Sequence, residues 1–221
     1  MKEIKMDNGK ILIFEGIDGS GKGTQSKLLY KYYQANNIPS ILFEFPAYSK
    51  TFFGKTVGEF LNGDFGTLEE VHPKLSAMLY AGDRFEQVEE IKNYLSKGYI
   101  VICDRYIPSN IAHQIAKVSH SQQKALKKWI EHLEYEIFQL PKPDLIFFLN
   151  MPPLSASKLV LKKEQRDYTG KKKDIHEENQ SYLEKVYAIF QNISIEEKWL
   201  VIECKDKNIE TVHSEILNQL N

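Results

Sequence analysis

Five short apolar runs constrain the fold more than any other feature of this chain. KILIFE, SILFEF, YIVICD, DLIFFLNM and WLVIEC begin at Lys10, Ser40, Tyr99, Asp144 and Trp199. Between them lie amphipathic stretches that read as helices: Lys22 to Gln34, Phe53 to Leu61, Leu75 to Ser96, Gln122 to Phe138, Leu154 to Lys163, Gln180 to Gln191 and Ile209 to Leu220. Continuous apolar strands alternating with helices imply a parallel sheet covered on both faces, because strands buried on both sides carry no polar alternation. The expected class is therefore α/β, with five central parallel strands. At 221 residues, with no internal repeat or long linker, residues 1–221 are expected to form one domain.

The first run leads into FEGIDGSGKGTQ, Phe14 to Gln25. Strand, glycine-rich turn, lysine and helix are the context in which a phosphate loop has physical meaning. Gly16, Gly19 and Gly21 let backbone N–H groups curl around an anion, the helix N-terminus adds its positive dipole end, and Lys22 supplies a mobile cation. The motif normally continues with Ser or Thr, whose hydroxyl holds magnesium. Here Gly23 follows Lys22, and Thr24 comes one place later. The metal ligands must then lie elsewhere, and Asp18 inside the loop is one candidate.

A second constellation closes the third strand. Asp104 ends YIVICD and is followed by RYIPSNIAHQ. The carboxyl ends of parallel strands face one crevice, so Asp104 and Arg105 are expected beside the phosphates, Asp104 as a magnesium ligand and Arg105 as a fork for a phosphate. The structural alternative is a helix cap. In LYAGDRFEQ, Tyr80 and Arg84 stand four apart, hence on one helical face. Such a pair suits stacking on a base and bonding its edge, though Tyr and Arg on one helical face are more often core packing and a surface charge. Ser109, Asn110, His113 and Gln114 follow Asp104 at helical spacing. A third segment, KKEQRDYTGKKKDIHEEN from Lys162 to Asn179, is dense in charge, joins two helices and taken alone reads as a solvated surface loop.

Bulk properties narrow the partners. Lys+Arg total 29 against 30 Asp+Glu, a net charge of −1 that gives no global field toward nucleic acid or an anionic membrane. No apolar stretch approaches the ~20 residues of a membrane span. The start MKEIKMDNGK lacks the apolar core and cleavage site of a signal peptide. Cys103 and Cys204 each close an apolar run and read as buried reduced thiols of a cytoplasmic protein.

With these pieces in order, the chain closely resembles the thymidylate kinase family, over nearly its whole length. FEGIDGSGKGTQ, FEFPAYS, LYAGDRFEQ and CDRYIPSNIAHQ carry the resemblance. It implies a P-loop kinase fold with a short basic lid at 162–178, ATP as donor, dTMP as acceptor, Mg²⁺, and a homodimer. By similarity, Gly16, Asp18, Gly19, Ser20, Gly21, Lys22, Gly23 and Thr24 would hold ATP, with Asp18 also at the sugar 3′-hydroxyl. Tyr80 would stack on thymine, Arg84 and Asn110 would read the base, and Arg105 would grip the acceptor phosphate. Phe45, Tyr48, Ser109, His113 and Gln114 would complete the acceptor site. Asp18, Asp104 and Glu177 would serve the metal. Because Gly19 and Ser20 leave the phosphate loop without a basic residue, the resemblance assigns the transition-state cation to the lid, at Arg166, with Lys162, Lys163 and Lys171 to Lys173 nearby.

Two departures from the family pattern bear on the acceptor. Ala47 stands where many members carry an Arg that helps hold the phosphate, and His113 stands where the family usually has a Tyr over the sugar. A kinase for another acceptor (dUMP, AMP or thymidine) and a nucleotide-binding regulator without turnover are the competing readings.

Overall fold

A computed structural model describes residues 9–160 and 180–220. Their order is β1 (Lys10–Glu15), α1 (Lys22–Ala35), β2 (Ser40–Glu44), α2 (Phe52–Asn62), α3 (Pro73–Phe85), α4 (Val88–Ser96), β3 (Ile100–Asp104), α5 (Ile107–Ile115) and α6 (His120–Glu131). A π-helical turn (His132–Ile137) follows, then β4 (Leu145–Asn150), α7 (Pro153–Val160), α8 (Gln180–Glu196), β5 (Leu200–Glu203) and α9 (Ile209–Asn218). The five strands form one all-parallel sheet in the order β2-β3-β1-β4-β5, as the apolar runs require.

The centre of the sheet is dry. Ile11 to Phe14 of β1, Val101 to Cys103 of β3 and Phe147 to Leu149 of β4 are buried, and Phe14 stacks on Phe147 with ring centroids 5.2 Å apart. Burying such side chains stabilises by roughly 1.5–3 kcal/mol each. Register then fixes the site: Phe14 lies opposite Asp104, so the phosphate loop and the end of β3 emerge side by side. Among the described residues no helix is long and apolar enough to cross a membrane.

Three helical expectations are corrected. The stretch from Leu75 to Ser96 is two helices, α3 and α4, broken at Glu86 and Gln87. The break lets Glu86 accept from the backbone N–H groups of Phe52 (3.0 Å) and Phe53 (2.8 Å), capping α2, while Val88 and Ile91 turn into the core. Neither partner is local, so no propensity encodes it. The Gln122 to Phe138 helix is α6 followed by the π-helical turn, and α8 runs past Gln191 to Glu196.

Candidate active site

The phosphate loop is built as its glycines demand. Gly16, Gly19 and Gly21 all have positive φ (144°, 82° and 98°), and Gly21 starts α1 in the left-handed region with no side-chain cap. Backbone donors at the start of α1 are thus left for an anion. Within the loop Ser20 Oγ is buried and has no hydrogen-bond partner among the described residues, as in a cradle shaped for a polar guest. Lys22 is folded back, its Nζ donating to the Ile17 carbonyl at 2.8 Å. Burial and then the charge of Arg105 pull its pKa down to about 8, against the opposing pull of Asp18, Asp104 and Glu15. Bound phosphates would restore the full charge.

Gly23 acquires a physical reason. A Cβ at this position would lie 2.9 Å from Asp104 Oδ2. The carboxylate at the end of β3 occupies the space beside the first turn of α1 that a side chain at position 23 would take. Burial raises the Asp104 pKa, opposed by Lys22 and Arg105, and its carboxylate has no hydrogen-bond donor among the described residues. No group of three His, Cys, Asp or Glu able to hold a metal occurs among those residues. The carboxylates present at the loop, Asp104 and Asp18, are of the kind Mg²⁺ takes, since that ion keeps several waters and is bound through one or two carboxylates plus substrate phosphates.

Arg105 sits at the junction of the two halves of the site. Its φ of 66° is left-handed, a conformation that costs of order 1–3 kcal/mol away from glycine and that the surroundings must impose. They do so on both ends: its backbone N–H donates to Phe14 O at 3.0 Å, Nη1 donates to Gly16 O (3.1 Å) and Ser109 Oγ (2.8 Å), and Nη2 donates to Asp18 Oδ1 (2.8 Å). Burial works against its charge, but Asp18, Glu15 and Asp104 more than reverse this, so its pKa is raised. The acid behind it, Glu15, was not singled out in the sequence. It is fully buried and accepts from the backbone of Tyr106 (2.9 Å) and Ser109 (3.2 Å) and from Ser109 Oγ. Glu15 therefore caps α5 from the neighbouring strand, a role its place at the end of KILIFE could have suggested.

Beside Arg105 opens a cavity with about 500 Å³ of empty space, mouth included. Asp18, Phe45, Tyr48, Tyr80, Arg84, Arg105, Ser109, Asn110 and His113 line it, bringing together residues from five separate segments. Tyr80 is half-buried and meets the edge of Phe60, with centroids 6.4 Å apart. Arg84 is not the surface charge that its spacing allowed. It is 2% exposed and forks onto Glu134, Nε to Oε2 and Nη2 to Oε1, both at 2.6 Å.

His113 is buried and shares two contacts with Tyr182 of α8. Tyr182 Oη donates to the His113 carbonyl (2.9 Å) and lies 3.0 Å from His113 Nδ1. Burial pushes its pKa down to about 3, so it is neutral at physiological pH. Gln114 stands one layer behind the cavity lining. It is fully buried, accepting from Ser76 Oγ at 2.7 Å and donating to Asn110 Oδ1 at 3.3 Å. Ala47 is buried too, its backbone N–H donating to Asp83 Oδ2 at 3.0 Å, so it offers a tethered turn and no cation. Arg166, Glu177 and the basic run around them lie outside the described residues.

A glycine-rich loop at the start of α1, an acid and an arginine at the neighbouring strand end, and a cavity beyond them thus lie together. Comparison with known proteins gives the family. A family model described as thymidylate kinase matches residues 14–216. The thymidylate kinase of Plasmodium falciparum is 31% identical over 216 residues, covering 96% of this chain and 90% of that protein. A probable thymidylate kinase of Methanocaldococcus jannaschii is 35% identical over 218 residues, covering 97% of each. A solved thymidylate kinase from Candida albicans, described as having broad substrate specificity, superposes with a TM-score of 0.76 at 27% identity, covering 96% of this chain and 91% of that one.

Proposed function

The chain belongs to the thymidylate kinase family, and from that premise we propose how its own residues carry the family's reaction, transfer of the γ-phosphate of ATP to dTMP to give dTDP. The observation that carries the assignment is the junction at Arg105, one guanidinium bonded to the phosphate loop at Gly16 and Asp18 and to the acceptor cavity at Ser109.

Phosphoryl transfer asks little covalent chemistry of a protein; it asks that two substrates be held in line and that charge on the equatorial oxygens be met. The loop from Gly16 to Thr24 holds the ATP phosphates, with Lys22 leaving Ile17 to follow the transferred group. Arg105 grips the dTMP phosphate, with no help from Ala47. Asp18 orients Arg105 and reaches the sugar 3′-hydroxyl. Tyr80 stacks on thymine, Phe45 and Tyr48 close the slot, Arg84 and Asn110 read the base edge, and His113 packs at the sugar. Gln114 supports Asn110 from behind.

Mg²⁺ would be held by Asp104 and Asp18, with Glu177 as an outer partner, and would neutralise charge between the ATP phosphates. Residues 162–178 serve as the lid of a single kinase domain spanning 1–221, and Arg166 supplies the transition-state cation. Cys103 and Cys204 are free thiols, as a reducing cytoplasm keeps them.

The functional unit is a homodimer built on α3. Leu75 (59% exposed), Met78 (46%) and Phe85 (47%) fall on one face of that helix, and Phe85 pairs with Phe138 at 4.6 Å. Sedimentation equilibrium is expected to give twice the chain mass, and the double substitution Leu75→Glu, Met78→Glu to give monomers that remain folded. A wild-type monomer at micromolar concentration would refute the dimer.

For the activity itself, the purified chain with ATP and Mg²⁺ is expected to form ADP in proportion to added dTMP. Tight nucleotide binding by calorimetry with no dTMP-dependent ADP would leave only the regulator reading.

A further inference from the structure

Arg84 and Asn110 reach the cavity from different helices, α3 and α5, yet one side chain holds both from behind. Glu134, on the π-helical turn, is fully buried. Its Oε2 accepts from Arg84 Nε at 2.6 Å, and its Oε1 accepts both from Arg84 Nη2 at 2.6 Å and from Asn110 Nδ2 at 2.8 Å. The second amide hydrogen of Asn110 goes to the Ala77 carbonyl at 3.0 Å. An ionised carboxylate and a carbonyl only accept, so both facing atoms demand the NH₂ end of Asn110. On the other side Gln114 Nε2 donates to Asn110 Oδ1 at 3.3 Å, consistent with that orientation. With Glu134 and the Ala77 carbonyl both accepting, the amide is held with its NH₂ toward them.

What the cavity meets is therefore fixed. Arg84 has only donors to offer, and its remaining N–H groups belong to Nη1 and Nη2. Asn110, its NH₂ committed, has only its carbonyl oxygen to offer, through the lone pair left beside the Gln114 Nε2 bond. We propose that Glu134 is the positioning residue that sets the polarity of the base-reading pair, so that the site presents an N–H donor beside a carbonyl acceptor. That pattern matches a ring edge carrying a carbonyl next to an N–H, as in thymine and uracil. It opposes cytosine, whose amino group and bare ring nitrogen would meet donor with donor and acceptor with acceptor. Because the groups are buried, a mismatched edge leaves them unpaired, and rejection of this kind is far stronger than a missing methylene gives. The inference rests on the assignment of the cavity to the nucleobase of dTMP.

Glu134→Gln tests it with a side chain of the same size. Glutamine carries one acceptor in place of two, and its NH₂ must face either Arg84 or Asn110; the pair then loses its shared acceptor, and the Ala77 carbonyl alone is left to hold the Asn110 amide. Expected is a fall of about 10–100-fold in kcat/KM for dTMP, the scale of a lost charged hydrogen bond, carried mainly by KM. The KM for ATP should stay within about two-fold, and the dTMP-to-dCMP preference should narrow by about ten-fold or more on the same scale. A uniform loss with that preference unchanged would overturn the inference, whereas wild-type protein inactive on dTMP would instead overturn the functional reading beneath it. Should the variant not fold, a crystal structure of the wild type with dTMP decides. Arg84 still forked to Glu134, with Asn110 Oδ1 within hydrogen-bond distance of the base N3–H, is the expected result. Arg84 detached from Glu134, or the Asn110 NH₂ turned to the base, contradicts it.

Discussion

Replacing Arg166 with alanine is expected to lower kcat for dTMP phosphorylation by ~10³-fold or more, the scale on which a transition-state arginine acts, while the KM for dTMP changes little. The physical reason is a shortage of mobile charge at the phosphate loop. Gly19 and Ser20 put no cation there. Of the two cations beside the loop among the described residues, Lys22 is bonded to Ile17 O alone, but Arg105 is anchored on Gly16, Ser109 and Asp18 and lines the cavity. The resemblance to family members that carry this cation in the lid then implies Arg166, within the basic stretch from Lys162 to Lys173. Stopped-flow or coupled-assay kinetics at saturating ATP and dTMP reads the effect. A near-normal kcat in Arg166→Ala would remove this residue from the mechanism.

Asp104→Asn separates function from stability in the opposite direction. Burial raises the pKa of Asp104 in the folded protein, so wherever the carboxylate is ionised its charge opposes folding rather than supporting it. The sign follows: whatever stability the group gives belongs to low pH, where it is protonated, and is lost as pH rises through its folded pKa. A neutral amide of the same shape should leave Tm unchanged or slightly higher at pH 7.5. Metal dependence should suffer: the Mg²⁺ concentration giving half-maximal activity is expected to rise by ~10–100-fold, and calorimetry should show the same weakening for Mg²⁺-dependent ATP binding without turnover. Unchanged Mg²⁺ dependence would strike Asp104 from the metal site.

The pairing of Asp104 with Gly23 also shows where sequence reasoning stops. The strands and phosphate loop were legible because their signals are local: short apolar runs, glycines at positive φ, a lysine opening a helix. From the sequence, Gly23 is a missing hydroxyl. Its cause is a carboxylate arriving from the end of β3, which only the β1–β3 register brings there. Tyr80, Arg84, Arg105 and Asn110 were legible as candidates, and they do line one cavity. The guanidinium of Arg84, however, is bound to an acid fifty residues away in sequence. Glu134 itself lies in IEHLEYEIF, which reads as the solvated face of a helix. Its burial depends on the π-helical turn and on Arg84 being there to pair with it. The break between α3 and α4 has the same character, being set by Glu86 reaching the start of α2.

The acceptor panel tests the central claim most directly. The purified chain is given ATP and Mg²⁺ with dTMP, dUMP, dGMP, AMP, CMP, UMP and thymidine in turn, and kcat/KM is measured for each. The account predicts the highest value for dTMP with dTDP as product; a preference for AMP or for unphosphorylated thymidine would contradict it.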